Sequence, residues 1–216
     1  MAATGEILRA AVALLIGFLL GSVIPADLLA RRSGIDIRRV GDGNPGTVNA
    51  VKALGWPRGL ITAVYDVFVG VVAIQIARLL GLADGPAYLA GVAALVGRRF
   101  PVFLGFRGGG QGMAASAGLL LYGIAVALSR GWLSTAQIAV LVAIIAITWI
   151  ATRWASTSPL VMLPVLLVML TIAHADWQLL VFMTAVAANM WIVQARVSAR
   201  RFSSRGVSPM CDEPRG

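Results

Sequence analysis

Apolar residues along this chain gather in long unbroken runs rather than in the alternation of a half-buried strand or the narrow stripe of a soluble amphipathic helix. A membrane-spanning helix needs about 20 mostly apolar residues. Seven runs approach that length: 8–30, 59–82, 86–106, 112–128, 133–152, 159–173 and 177–195. The pattern predicts an all-α, polytopic bundle of about seven transmembrane helices in one domain, 1–196, followed by a basic tail, 197–216, expected to be disordered. The sixth run is short, and the third is interrupted by Arg98, Arg99 and Pro101, so six spans is the alternative count. A cleavable signal peptide fits the first run poorly, because the run is long and its short leader carries Glu6 as well as Arg9. No fixed-period repeat and no low-complexity linker divides the chain.

Composition excludes the soluble alternatives. Of the 216 residues, 59% are hydrophobic and 12% charged, with a mean hydropathy of +0.86. That is too little polar surface to cover a water-soluble core, and too much apolar matter for a disordered chain. The single cysteine, Cys211, and the single histidine, His174, leave neither a disulfide framework nor a His-based metal centre. Net charge is +9, almost all of it from arginine. No basic stretch carries a nucleic-acid-binding module, so the excess reads as loop orientation and anchoring on anionic lipid. With seven spans, 15 of the 18 basic residues fall on one side, in the 31–58 and 98–112 loops, at Arg153 and Arg196 and in the tail, against Arg9, Arg78 and Arg130 on the other. The positive-inside rule then puts the N-terminus outside and the C-terminus in the cytosol. Trp56, Trp132, Trp154, Trp177 and Trp191 lie near proposed span ends, where amphipathic rings anchor at the interface.

Both cytosolic loops are built for anions. In the first, Gly41, Gly43, Asn44, Gly46, Thr47 and Asn49 combine left-handed turn capacity with backbone and side-chain donors, and Arg38, Arg39 and Lys52 supply charge. In the second, Gly108, Gly109, Gly110, Gln111 and Gly112 precede an apolar helix, whose N-terminus offers unpaired N–H groups and a partial positive charge. It is not a P-loop, since no Lys-Ser/Thr pair closes it and no strand precedes it.

These segments carry a resemblance. Gly21-Ser22-Val23-Ile24-Pro25, the run 36–49 through Gly41-Asp42-Gly43-Asn44-Pro45-Gly46, and Lys52-Ala53-Leu54-Gly55 resemble the first motif region of the bacterial acyl-phosphate:glycerol-3-phosphate acyltransferases, the PlsY family. Pro101-Val102-Phe103-Leu104-Gly105-Phe106-Arg107-Gly108-Gly109 resembles their second motif, and Asp66 and Gly70 match an intermediate Asp-x-x-Lys-Gly pattern. The resemblance covers most of residues 15–120 and departs at definite points. Gly110 or, with one inserted glycine, Gln111 stands in the second motif's lysine position. Arg98 replaces the histidine of a Gly-His pair, and Val69 replaces the intermediate lysine. Of the third motif, Asn189 remains, with Val186 in the histidine position and no later glutamate before Glu213.

The resemblance implies a multi-pass protein of the bacterial inner membrane with a cytosolic site. It would move a fatty acyl group from acyl phosphate to the 1-hydroxyl of glycerol 3-phosphate, in phospholipid synthesis, without metal or tightly bound cofactor. The residues it points to for catalysis are Ser22, Asn44, Arg98, Gln111 and Asn189. Substrate binding falls to Arg38, Arg39, Gly43, Gly46, Thr47, Asn49, Lys52, Gly108, Gly109, Gly110 and Gly112. Arg98 is the candidate cation in place of the absent lysine. The competing reading is a degenerate member that binds anionic lipid precursors without turnover; a transporter lacks any visible inverted repeat. Outside the motifs, Asp66 is a costly intramembrane charge placed to support the loops, and Arg78 is expected to snorkel to the interface. Asp27 is positioned to pair with Arg31 one turn on, and Gly123 reads as a helix-packing residue.

Overall fold

The structure is a computed structural model that describes residues 2–152 and 158–205. Arg153, Trp154, Cys211, Glu213 and Arg215 lie outside the described residues, as do the tail side chains from 197 onward. Every regular element among the described residues is helical. The helices are α1 (Ala2–Ser22), α2 (Pro25–Arg32), α3 (Thr47–Leu54), α4 (Trp56–Leu79), α5 (Asp84–Arg99), α6 (Met113–Ser129), α7 (Thr135–Thr152), α8 (Ser158–Ile172) and α9 (Trp177–Arg205). Short 3-10 turns occupy Ile37–Arg39 and Val102–Leu104. Each of the seven apolar runs is helical. Among the described residues, four segments are both long and apolar enough to cross a membrane: Thr4–Arg32, Trp56–Leu79, Asp84–Leu104 and Trp177–Arg196. Large apolar side chains such as Leu15, Ile61, Phe68, Val72, Leu121 and Val181 point outward, the surface of a protein solvated by lipid.

Three boundaries differ from the sequence pattern. The third run, 86–106, is α-helical only as far as Arg99, before Pro101. The first run is broken after Ser22, where Ile24 is extended and Pro25 opens α2. Proline has no N–H to continue the ladder and suits the first position of a new helix. At the other end of the chain, α9 continues to Arg205, since no glycine or proline intervenes before Gly206.

Small residues set the packing. Helices α1 and α5 cross at Gly17 and Gly21 against Ala90 and Ala94; a Cβ at Gly21 would lie 1.9 Å from the Ala94 carbonyl oxygen. This is small-xxx-small packing, which lets backbones touch where lipid removes most hydrophobic drive between helices. Tyr65 of α4 donates to the Leu20 carbonyl at 2.6 Å, and Gly118 of α6 abuts the Val67 backbone, so α4 bridges α1 and α6. Gly123 packs on Met183 of α9, the packing role its sequence position suggested. Outermost, α7 leans on α8, which in turn packs on α9. A second, smaller core of Ile24, Ala26, Ala30, Ile37, Ala50 and Leu54 lies under the segment joining α2 to α4. At the opposite end, Arg78 pairs with Asp84 at 2.7 Å, and Arg130 joins the same carboxylate.

Candidate functional site

The two glycine-rich loops meet at one end of the bundle. Asn49, buried in the first turn of α3, donates through Nδ2 to the carbonyls of Ile37 (3.0 Å) and Val40 (2.9 Å). It thereby folds the 37–46 segment back over α3. Within that segment the Asn44 N–H donates to Asp42 Oδ1 at 3.1 Å, a local turn closed by the Asp42 side chain. Asn44 Oδ1 then accepts the Gln111 N–H at 3.2 Å, across 67 positions of sequence.

A second clasp lies beside the first. Arg38 is ion-paired with Asp27, which also holds Arg31 at 2.8 Å as its one-turn spacing suggested, and Arg38 Nη2 donates to the Gly108 carbonyl at 2.7 Å. Gly108 has φ +67°, and a Cβ there would sit 2.5 Å from Arg38 Nε. At Gly109 a Cβ would meet the Arg99 carbonyl oxygen at 2.2 Å. Only glycine lets this loop lie so close to both arginines.

Under the clasps lies Arg98, 1% exposed. Its Nη2 stands 2.6 Å from the Asp66 carboxylate, 3% exposed, and 3.5 Å from the Pro45 carbonyl, while Nη1 donates to the Val23 carbonyl at 3.2 Å. The break between α1 and α2 exposes that Val23 carbonyl. Thr47 Oγ1 donates to the same Asp66 carboxylate at 3.4 Å. Arg98 thus ties α5, α4, the α1–α2 junction and the Asn44 loop together. Its charge faces a carboxylate, not open space.

Two cavities flank the seam. One, of about 410 Å³, is lined by Arg38, Arg99, Arg196, Asn44 and the Gly108–Gln111 backbone. The other, of about 230 Å³, is lined by Asp42, Thr47, Asp66, Arg98 and Gly112, and shares Asn44, Gly110 and Gln111 with the first. Asn189 of α9 donates to Ser116 Oγ at 2.8 Å and faces Gly112. Of the residues singled out from sequence, Arg38, Gly43, Gly46, Asn44, Thr47, Arg98, Gln111 and the four loop glycines border one cavity or both. Ser22 stands apart: its hydroxyl bonds back to the Phe18 carbonyl at 2.8 Å, and it borders a separate, mostly apolar cavity of about 400 Å³ with Leu28, Phe103 and Leu104. Arg39 is 87% exposed and pairs with Asp36, and Lys52 lies on the outer face of α3; neither borders either cavity of the seam. Arg99 and Arg196 enter the site without having been singled out. For Arg196 a signal existed, since it follows Asn189 by two helical turns and shares its face. Among the described residues no cluster of three His, Cys, Asp or Glu side chains is placed to hold a metal.

The glycerol-3-phosphate acyltransferase family model matches residues 11–204. The chain belongs to this family. Relatives include the glycerol-3-phosphate acyltransferase of Thermus thermophilus, 48% identical over 111 residues covering 50% of this chain and 54% of that protein. Glycerol-3-phosphate acyltransferase 1 of Deinococcus radiodurans is 45% identical over 113 residues, 52% of this chain and 57% of its own. In these alignments the chain spans about half the length of the curated relatives it matches. In fold it is similar to the crystal structure of PlsY, an integral membrane glycerol 3-phosphate acyltransferase, in its glycerol 3-phosphate form. The TM-score is 0.70 at 24% identity, covering 91% of this chain and 93% of that one. Neither Gly110 nor Gln111, the two candidates for the second motif's lysine position, carries a charge. Val186, in the third-motif histidine position, is packed wholly in the core. His174 lies in the α8–α9 turn with φ +53°.

Proposed function

We propose that the chain is an active acyltransferase that moves a fatty acyl group from an acyl phosphate to the 1-hydroxyl of glycerol 3-phosphate. In this reading the chain crosses the bacterial inner membrane seven times, N-terminus outside, with the glycine loops in the cytosol where both phosphates are available. The 15-to-3 basic asymmetry supports that orientation. The glycerol hydroxyl oxygen bonds to the acyl carbon, the bond from that carbon to the phosphate oxygen breaks, and the hydroxyl proton leaves with the phosphate. An acyl phosphate is already activated, so holding the two reactants together supplies much of the rate. The protein's remaining task is to stabilise charge on the carbonyl oxygen and departing phosphate, the work of fixed donors in a partly dehydrated site. The observation that carries the reading is the seam at Asn44 and Gln111, which joins both loops between two cavities bordered by charged side chains. Loop backbone, Asn44, Arg38 and Asn189 face the reactants, while Arg98, Asn49 and Thr47 hold the loops in place.

A second reading, a family member that binds anionic precursors without turnover, draws on the uncharged Gly110-Gln111 segment and on Val186. One assay separates the two: purified protein in detergent with palmitoyl phosphate and glycerol 3-phosphate, following phosphate release and the lysophospholipid formed. Release that depends on glycerol 3-phosphate is expected. Tight glycerol 3-phosphate binding with no release would select the second reading.

A further inference from the structure

The 410 Å³ cavity beside the Asn44–Gln111 seam has a one-sided charge balance. Three guanidinium side chains border it, those of Arg38, Arg99 and Arg196, and no carboxylate does. Arg38 is already engaged by Asp27 and the Gly108 carbonyl. Arg99 and Arg196 have no carboxylate partner among the described residues. Arg99 is half-buried at the end of α5, and Arg196, exposed on α9, borders the same cavity. Partial burial of the Arg99 cation without a counter-ion is costly, and an anion shared with Arg196 relieves that cost. The loop beside them presents Gly108–Gln111, which contributes backbone donors and no charge. The smaller cavity is the reverse. It carries the carboxylates of Asp42 and Asp66, with Arg98 already paired, so it repels a dianion and accepts hydrogen bonds from hydroxyl groups.

We infer that Arg99 and Arg196 are phosphate-binding residues of this site, clamping a phosphate monoester dianion against the 108–111 backbone. The inference rests on the proposed acyl transfer for the identity of the ligand, and not for the existence of the anion site. Guanidinium groups on two different helices suit this task, because each planar fork donates two hydrogen bonds to phosphate oxygens. The clamp supplies, from α5 and α9, the charge that the glycine loop lacks. It assigns the phosphate to the arginine cavity and the glycerol hydroxyls to the carboxylate cavity, on either side of Asn44.

The test compares wild type, the double variant Arg99→Gln/Arg196→Gln, its conservative counterpart Arg99→Lys/Arg196→Lys, and Arg58→Gln, a charge-loss control at an exposed position outside every cavity. Each is purified in detergent, and both turnover and thermal protection by glycerol 3-phosphate are measured. The glutamine pair should raise KM for glycerol 3-phosphate or the acyl phosphate about 10- to 100-fold, the size expected for losing charge-assisted bonds. The lysine pair should recover part of this, kcat should move far less, and Arg58→Gln should change neither. If the wild type turns over and the glutamine pair leaves both KM values unchanged, the clamp is wrong and the acyltransferase reading stands. If the wild type never turns over, yet glycerol 3-phosphate protects it and not the glutamine pair, the clamp stands and the catalytic reading falls. Equal protection of both proteins, or of neither, overturns the clamp. Arginine-dependent protection by phosphatidylglycerol micelles but not by glycerol 3-phosphate makes the two residues headgroup anchors, and also overturns it.

Discussion

Arg98→Gln removes one half of an ion pair whose side chains are 1% and 4% exposed. Taking away one partner of such a buried pair costs about 3–5 kcal/mol, mostly because the remaining charge is left uncompensated. Arg98 also satisfies the Val23 carbonyl at 3.2 Å, and a buried acceptor left bare adds about 1–3 kcal/mol unless the new amide reaches it. The Pro45 contact, at 3.5 Å, is at the edge of hydrogen-bonding distance and contributes little. The single variant should therefore lose about 3–5 kcal/mol of stability if the new amide reaches the Val23 carbonyl and about 4–8 if it does not, and Asp66→Asn about 3–5 for the opposite reason. The double variant Asp66→Asn/Arg98→Gln leaves no buried charge at the site. Its loss should be smaller than the sum of the two by at least about 1–3 kcal/mol, the coupling expected of residues in contact. Denaturant unfolding of the four proteins in one detergent, followed by tryptophan fluorescence, closes the cycle. Single losses below about 1 kcal/mol, or strict additivity, would mean that the pair does not hold α4, α5 and the Asn44 loop together.

Three further outcomes follow from the same geometry. Asn44→Ala breaks the bond from the Gln111 N–H and should lower kcat about 100-fold or more with little change in melting temperature, since the residue sits in a loop; activity at the wild-type level would remove Asn44 from the site. Gly108→Ala forces a side chain into left-handed backbone and onto Arg38, costing about 1–2 kcal/mol from backbone strain alone, whereas Gly34→Ala, equally left-handed but in open space, tests that strain without the clash. If the two lose the same stability and activity, the Arg38–Gly108 clasp is not a constraint on the site. A reporter fused after Arg205 should read cytosol and a cysteine at Asp84 should label from outside, so labelling of both from one side refutes the seven-span orientation.

Helical class, membrane residence and the position of both loops were legible in the one-dimensional pattern. Apolar runs of bilayer length need no partner to become helices, because lipid forces each backbone to satisfy its own hydrogen bonds. Glycines such as Gly108 and Gly43 likewise announce left-handed turns that other residues resist. The Asp27–Arg31 pair was readable too, being one turn apart on one helix. What the pattern could not contain is which charges meet across helices. Arg98 and Arg99 are neighbours in sequence, yet a helix sends adjacent side chains about 100° apart. One is buried against Asp66 of α4, and the other opens into a cavity beside Arg196 of α9. Arg39 and Lys52 look as suitable for an anion as Arg38, but only Arg38 is drawn inward, by Asp27 and the Gly108 carbonyl. The α1–α5 contact through Gly21 and Ala94 and the Asn44–Gln111 seam bring together segments more than sixty positions apart. Local preference decided the helices and turns; the choice among chemically similar arginines was left to packing, because charge is sorted by the distances that only the assembled bundle sets.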